Sequence, residues 1–345
     1  MKSSYLLWIV ILFFAMVFLN KKNYKVDSYT VTSQIKGIAI LLVIFGHLSR
    51  VAEIHNPILN LLGANGVCIF LLISGYGLYK SSEKKGITFS YWKKRIVTVL
   101  IPYSLITGIF LLYDRFFLNK EYSKIYILKN ILGIDNLTRF DGTMWYIQFI
   151  LSWYIVFGIV FYFNKYKALR ISILFLFSII FYSQMNREPF SMYYYQCAVH
   201  SFWFPIGVLV GAYGERLRTI VNSKSKIIFI NLITVIFIYL IYGNINTNNN
   251  LYMLYNFSVA VVLISTILII YSFKKYIYLL DYIGSISFYL YLFEGVFIYN
   301  YNIINKDMPI FSFFLYFFII TALSMIYKRI IELVTGKVLV NKKTV

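Results

Sequence analysis

Long apolar runs, separated by short polar segments, fill the chain from one end to the other. A helix needs about 20 apolar residues to cross a hydrocarbon core of about 30 Å. Eleven runs are candidates, near 5–20, 35–54, 58–79, 96–114, 143–163, 169–185, 198–214, 226–243, 253–273, 280–300 and 309–331. The pattern predicts an all-α fold, a polytopic bundle of transmembrane helices with about 11 spans. The first run has one early Lys, no small-residue cleavage site, and Lys21, Lys22 and Lys25 just after it. It is therefore expected to be a retained helix and not a signal peptide. The stretch 122–134 is shorter and carries Lys124 and Lys129, so it is expected to lie at the interface or in a loop.

Charge tests this count, because cytoplasmic loops carry an excess of Lys and Arg. With the N-terminus outside, the inner segments take 24 of the 33 Lys and Arg residues. The largest groups are Lys80, Lys84, Lys85, Lys93, Lys94 and Arg95, then Lys328, Arg329, Lys337, Lys342 and Lys343. Five of the remaining nine fall in the long 114–142 segment, and 244–252 has none. A missed or invented helix would scramble this alternation. The C-terminus is therefore expected in the cytoplasm, and residues 1–345 form a single membrane domain with any chemistry within or at the edges of the bundle.

Composition narrows the class further. The chain is 60% hydrophobic and 13% charged, with mean hydropathy +0.72. Soluble domains run near half apolar and a quarter charged, so a soluble globular protein, a disordered chain and a secreted disulfide scaffold are excluded. The net charge of +20 would suit nucleic acid, but it sits in short loops and reads as topology. No nucleic-acid partner is expected. Cys68 and Cys197 suggest neither a disulfide framework nor a metal site. The 20% aromatic content accompanies abundant Ile, Lys and Asn, all with A+T-rich codons, and defines no cofactor box.

Ionisable residues inside a span point to function by default. In KGIAILLVIFGH, Lys36 and His47 are eleven residues apart, almost three full turns, so they share one helix face about 16.5 Å apart. Lys36 sits at the cytoplasmic end, where a Lys also simply snorkels. His47 lies deeper; imidazole there is either a satisfied structural group or a general base. In GVCIFLLISGYGLYKSS, Ser74 and Tyr76 accompany Gly75 and Gly77. Glycines there serve close helix packing or leave backbone groups facing a ligand. In FSYWKKRIVTVLIPY, Lys93, Lys94 and Arg95 crowd an inner mouth, either as topology signals or as a phosphate site. Pro102 is expected to kink the span that follows. Glu294, in IGSISFYLYLFEGVF, is either paired, a helix-end cap or exposed to water. His200, at the start of a span, is expected at the outer interface.

Taken in order, these segments resemble the integral-membrane acyltransferase family 3. Its members typically carry a basic residue, ten residues and a His, here Lys36 and His47. A Gly-rich span like ISGYGLYKS follows, then a basic stretch before an I-x-P-Y-like element, here KKRIVTVLIPY. A Trp-led span, GTMWYIQFILSWY with Trp145, and a late SISFYLYLFEG complete the series. The likeness covers about 32–331 as a ten-helix core, to which the 5–20 helix is an addition. Three positions depart from the family pattern. Lys36 stands where Arg is usual, Thr98 where a further Arg is frequent, and Glu294 where a His is common. Lys does not replace Arg in bidentate phosphate contact.

The resemblance implies transfer of an acyl group, often acetyl from acetyl-CoA, to a hydroxyl of a cell-envelope or exported glycan. Acyl-CoA is then a co-substrate, with no bound cofactor expected. The partners are acyl-CoA, a carbohydrate or lipid-linked glycan acceptor, and the lipids of a bacterial plasma membrane. Lys36, Lys93, Lys94 and Arg95 would bind the donor phosphates. His47 would be catalytic, as base on the acceptor hydroxyl or as carrier of the acyl group. Ser74, Tyr76, Trp145 and Glu294 would line the cavity or the acceptor path. Two other functions fit the same spans. One is a transporter or flippase for a lipid-linked glycan, which a cationic mouth and a kinked helix also suit. The other is a non-catalytic partner in polysaccharide assembly.

Overall fold

The structure is a computed structural model and describes residues 28–51, 57–134, 139–184, 191–220, 224–242, 249–272, 277–304 and 309–336. The expected helix at 5–20 and the His55 loop lie outside the described residues. Among the described residues every regular element is helical. We number the α-helices α1 Ser28–Val51, α2 Pro57–Lys85, α3 Phe89–Arg95, α4 Ile101–Phe117, α5 Lys124–Leu132, α6 Trp145–Phe163 and α7 Lys167–Ser183. They continue with α8 Ser191–His200, α9 Trp203–Ile220, α10 Lys224–Tyr242, α11 Asn249–Ser272, α12 Tyr278–Gly295 and α13 Pro309–Val334. Seven helical segments among the described residues are long and apolar enough to cross a membrane. They are Tyr29–Val51, Leu61–Lys85, Phe89–Phe117, Gly142–Phe163, Tyr193–Gly214, Tyr278–Asn300 and Phe311–Val334. The runs near 169–185, 226–243 and 253–273 are helical too, as α7, α10 and α11. The 122–134 stretch forms only the nine-residue α5, which exposes Ile125, Leu128 and Leu132 along one stripe. That apolar outer face fits an interfacial helix.

The chain folds as two compact units. The first comprises 1–86 and 159–285, and the second 87–158 and 286–345.

Close helix approach shapes the first unit. Lipid tails are as apolar as Leu, so helices in a bilayer gain by dispersion contacts, and small residues bring backbones together. A Cβ added at Gly46 would fall against the backbone of Gly63, and one at Gly66 against the Ala39 carbonyl, so α1 and α2 meet at glycine faces. Likewise Gly75 meets the Phe204 carbonyl and Gly207 the Leu72 carbonyl, which seats α9 on α2. The N-terminal part of α1 is locked to the start of α12. Gly37 lies against the Leu280 carbonyl, the Ser33 hydroxyl donates to the Asp281 carbonyl at 2.9 Å, and the Ile277 N–H donates to Gln34 Oε1 at 3.2 Å.

Aromatic packing shapes the second unit. Phe110 sits among Phe140, Phe293, Phe297 and Tyr301, with centroids 5.9–6.3 Å away. At the end of α4, fully buried Asp114 accepts from Tyr122 Oη at 2.6 Å, Lys120 Nζ at 2.9 Å and Tyr301 Oη at 3.1 Å. A buried carboxylate is tolerated when charge and hydrogen bonds surround it in this way. Burial and the Asp114 carboxylate push the Tyr122 and Tyr301 phenols above the ordinary tyrosine value.

The helix from Phe89 to Phe117 runs through Pro102 without a break. Between α3 and α4 the turns at Ile96–Leu100 widen into a π-helix. Leu100 and Ile101 keep helical dihedrals, φ −68°, ψ −49° and φ −58°, ψ −53°. Proline lacks an N–H and its ring crowds the carbonyl one turn back; the wider turn accommodates both. The Pro102 carbonyl is buried and accepts from Tyr327 Oη at 2.6 Å. A second π segment, Val296–Asn300, follows Glu294 and Gly295. Such bulges occur frequently at functional sites.

Candidate functional site

His47 is half-buried in the body of α1, one residue after the Gly46 contact with Gly63. Lys36 is half-buried near the other end of the same helix. Between them on that face, Ile40 and Val43 are fully buried, at 0% and 2% exposure. The two polar side chains therefore mark the ends of a dry packing stripe. Gly66 reinforces it, since a Cβ there would press on the Val43 side chain at 2.7 Å.

In the ISGYG segment the two glycines have different surroundings. Gly75 is a packing position against Phe204, whereas a Cβ at Gly77 would meet nothing within 4 Å. α2 does not end here but continues to Lys85. Ser74 and Tyr76 are half-buried, and Lys80 Nζ lies 6.0 Å from the Tyr76 ring. Arg170 and Lys167 serve helix ends. Arg170 donates to the carbonyls of Asn164 and Phe161, at 2.5 and 3.2 Å, where a helix C-terminus favours positive charge. Lys167 Nζ donates to the Ala212 carbonyl at 2.7 Å and lies 4.5 Å from the Tyr213 ring.

His200 is fully buried on α8, its Nδ1 2.7 Å from the Gln196 carbonyl. The short α8 ends there, before α9 starts at Trp203, and the ring points into protein. Asn65 and Asn256 are also fully buried in this unit, and neither side-chain amide finds a hydrogen-bond partner among the described residues.

In the second unit, the basic cluster splits. Lys93 and Lys94 are exposed at the end of α3. Arg95 is half-buried, with its guanidinium carbon 4.4 Å from the Tyr91 ring centroid and 5.5 Å from that of Tyr154. Tyr91 is itself fixed. Its hydroxyl donates to the Tyr154 carbonyl at 2.7 Å, its ring stacks on Phe157 at 6.2 Å, and Gly158 admits it and Trp92. Arginine spends its rotamer freedom on this stack, so its fork is already oriented.

Trp145 opens α6, half-buried, with Phe149 at 5.9 Å and Tyr146 at 6.3 Å. Just before it lies a feature that sequence reasoning missed. Asp141, 2% exposed, caps the one-turn helix Gly142–Met144, its Oδ1 accepting from the Thr143 N–H at 2.8 Å. Its Oδ2 lies 2.7 Å from where a Cβ on Gly295 would stand. Glu294, the preceding residue, is fully buried. Tyr291 Oη donates to the Thr143 carbonyl, and Tyr316 Oη to the Glu294 carbonyl at 3.2 Å. Both tyrosines lie within electrostatic reach of both carboxylates. The signal available in sequence was the run Asp141-Gly142-Thr143, in which an Asp precedes a helix and an N–H two residues on.

No group of three or more His, Cys, Asp or Glu side chains that could hold a metal occurs among the described residues. The first unit offers an imidazole, and the second a positioned guanidinium and two buried carboxylates, the kinds of group that acid–base and group-transfer chemistry uses.

A family model described as an acyltransferase domain matches residues 33–329. No curated protein and no solved structure matches the chain. The matched span runs from the first turns of α1 to near the end of α13 and so takes in Lys36, His47, Arg95, Trp145 and Glu294. The chain is a multi-pass membrane protein that belongs to acyltransferase family 3.

Proposed function

We propose that this acyltransferase moves an acyl group, acetyl as the simplest case, from cytosolic acyl-CoA to a hydroxyl of a cell-envelope or exported glycan. The observation that carries the reading is His47, an imidazole in the body of a candidate span within a chain that matches an acyltransferase domain. As general base, a ring nitrogen takes the acceptor hydroxyl proton while that oxygen attacks the thioester carbonyl. The C–S bond then breaks and CoA leaves as the thiol once it regains the proton. As carrier, the same nitrogen attacks the thioester carbonyl first, the C–S bond breaks and CoA leaves as the thiol with the imidazole proton; the acceptor hydroxyl then takes the acyl group as the N–C bond breaks, and its proton returns to the ring.

Donor phosphates are assigned to Arg95, with Lys93, Lys94 and Lys36 adding positive charge. Arg95 is favoured because its stack on Tyr91 and Tyr154 orients the fork before any ligand arrives. Ser74, Tyr76, Trp145 and Glu294 are assigned to the cavity and acceptor path. The C-terminus is placed in the cytoplasm and the N-terminus outside a bacterial plasma membrane, on the strength of the basic segments.

Two measurements test this. Envelope glycan from cells with the chain should carry more base-labile O-acetyl than glycan from cells lacking it; equal content refutes the acceptor class. A Ser82→Cys protein, with Cys68 and Cys197 replaced, should resist an impermeant thiol reagent in intact cells. Ready labelling reverses the orientation and the donor assignment with it.

A further inference from the structure

We propose that α5 is a binding surface for anionic phospholipid headgroups, with Lys124 and Lys129 on headgroup phosphates and the apolar stripe between them seated at the edge of the acyl chains. The pattern around the helix carries this. At about 100° per residue, Leu128, Leu132 and Ile125 fall within about 60° of one another. They are 58%, 44% and 67% exposed. Lys124 and Lys129 lie on opposite edges of that stripe, each about 40° beyond it, and both are exposed. The other face is taken by protein, since Asn130 is buried and Tyr126 and Ile127 are half-buried.

The direction of the stripe is fixed by hydrogen bonds on that protein side. Tyr103 Oη donates to the Asn130 carbonyl at 2.8 Å, and Ser104 Oγ to the Ile131 carbonyl at 2.7 Å. The Phe140 N–H donates to Asn130 Oδ1 at 2.6 Å. Just before the helix, Lys120 and Tyr122 bond Asp114 near the end of α4. These ties run α5 antiparallel along the second half of α4 and hold Ile125, Leu128 and Leu132 outward.

Two costs bracket the depth of this face. Water is a poor neighbour for the apolar stripe, and α4 beside it exposes Leu105, Ile109, Leu112 and Phe116, spaced four, three and four residues apart. The hydrocarbon core is a poor neighbour for two lysines. The headgroup boundary suits both, because lysine stems lie along apolar surface while the ammonium groups reach phosphate. The Phe89–Phe117 helix has 29 residues. A core needs only about 20, so turns of α4 are available to run along the boundary with α5. Charge then selects the lipid. From Arg115 to Ile134 the charged residues are Arg115, Lys120, Glu121, Lys124 and Lys129. Lys120 pairs with Asp114, and the exposed Arg115, Lys124 and Lys129 outnumber the exposed Glu121. A basic excess beside a bilayer favours anionic over zwitterionic headgroups.

The test places a fluorophore on full-length Leu128→Cys protein, with Cys68 and Cys197 replaced. The protein is reconstituted into phosphatidylcholine vesicles with a minority of phosphatidylglycerol. Bromines, which quench on contact, are carried either by the phosphatidylglycerol or by an equal amount of the phosphatidylcholine. Both should quench, and brominated phosphatidylglycerol should quench more strongly. Lys124→Gln and Lys129→Gln should each reduce that preference by up to about fivefold at low salt, and the double variant should remove it. Ile125→Cys gives the same readout if Leu128→Cys does not fold. Quenching by aqueous iodide and by neither lipid puts the face in water and overturns the proposal. Quenching by none of the three means that protein, a partner or a second copy, covers the face, and overturns it too. Equal quenching by the two lipids overturns the headgroup selectivity, and a preference that survives the double variant overturns the assignment to these lysines.

Discussion

Arg95 should matter more to donor binding than the two lysines beside it, and the structure sets the size of the difference. A hydrogen bond to a charged group contributes about 1.5–3 kcal/mol when its geometry is held. Arg95 is held by Tyr91 and Tyr154, at 4.4 and 5.5 Å. Arg95→Gln should therefore weaken acetyl-CoA binding by about 10- to 150-fold. Lys93 and Lys94 are exposed. Exposed ion pairs are worth about 0–1 kcal/mol, so Lys93→Gln and Lys94→Gln should each cost no more than about fivefold. The lysine effects should fade as salt rises, while the Arg95 effect persists longer because the group is half-buried. Tyr91→Leu should reproduce part of the Arg95 loss with no change in charge. Equilibrium binding of labelled acetyl-CoA to detergent-solubilised protein, at low and high salt, measures all four. Equal losses at the three basic positions, or a larger loss at a lysine, would refute the idea that stacking singles out Arg95.

Three further expectations concern the scaffold. Gly75→Ala should destabilise the solubilised protein by about 1–3 kcal/mol of overpacking, while Gly77→Ala should be neutral or slightly stabilising; thermal melts compare them, and equal effects contradict the contact at Phe204. Asn65→Leu and Asn256→Leu remove buried amides that have no hydrogen-bond partner among the described residues, so each should raise the melting temperature, and a fall would show those amides to be satisfied. The phenols of Tyr122 and Tyr301 are raised, so the stability that they give the Asp114 clamp is fully present below pH of about 10 and is lost as pH climbs through their folded values. Alkaline absorbance titration should show late-ionising tyrosines in the wild type that are fewer in Tyr122→Phe; a titration complete near the ordinary value contradicts the clamp.

Much of the architecture was legible because a bilayer demands long apolar helices, and that demand writes itself into runs of residues. The 122–134 stretch was set apart correctly, since Lys124 and Lys129 interrupt it, and α5 is a short helix with an apolar outer stripe. Lys36 and His47 do share one helix, as their spacing required. What the sequence hid depends on three-dimensional neighbours. Pro102 marked a disturbance, but the π-helix at Ile96–Leu100 is a backbone response that no residue type encodes alone. The basic run looked uniform, yet Arg95 lies over two aromatic faces, one of them from a residue 59 positions later, Tyr154. Asp141 was passed over because Asp-Gly reads as an ordinary turn; its burial against Gly295, far along the chain, appears only in three dimensions. His200 begins an apolar run in the sequence, and only the fold shows that its ring is fully buried at the end of α8.

The central claim is that His47 carries the acyl transfer. Purified protein incubated with labelled acetyl-CoA and envelope glycan should pass label to the glycan. His47→Ala should retain folding and acetyl-CoA binding while transfer falls by about 10²- to 10⁴-fold or more. Label trapped on the protein without acceptor, and absent from His47→Ala, identifies the carrier route; its absence with intact transfer identifies direct attack by the hydroxyl. Transfer at near wild-type rates by His47→Ala protein would contradict the account under either route.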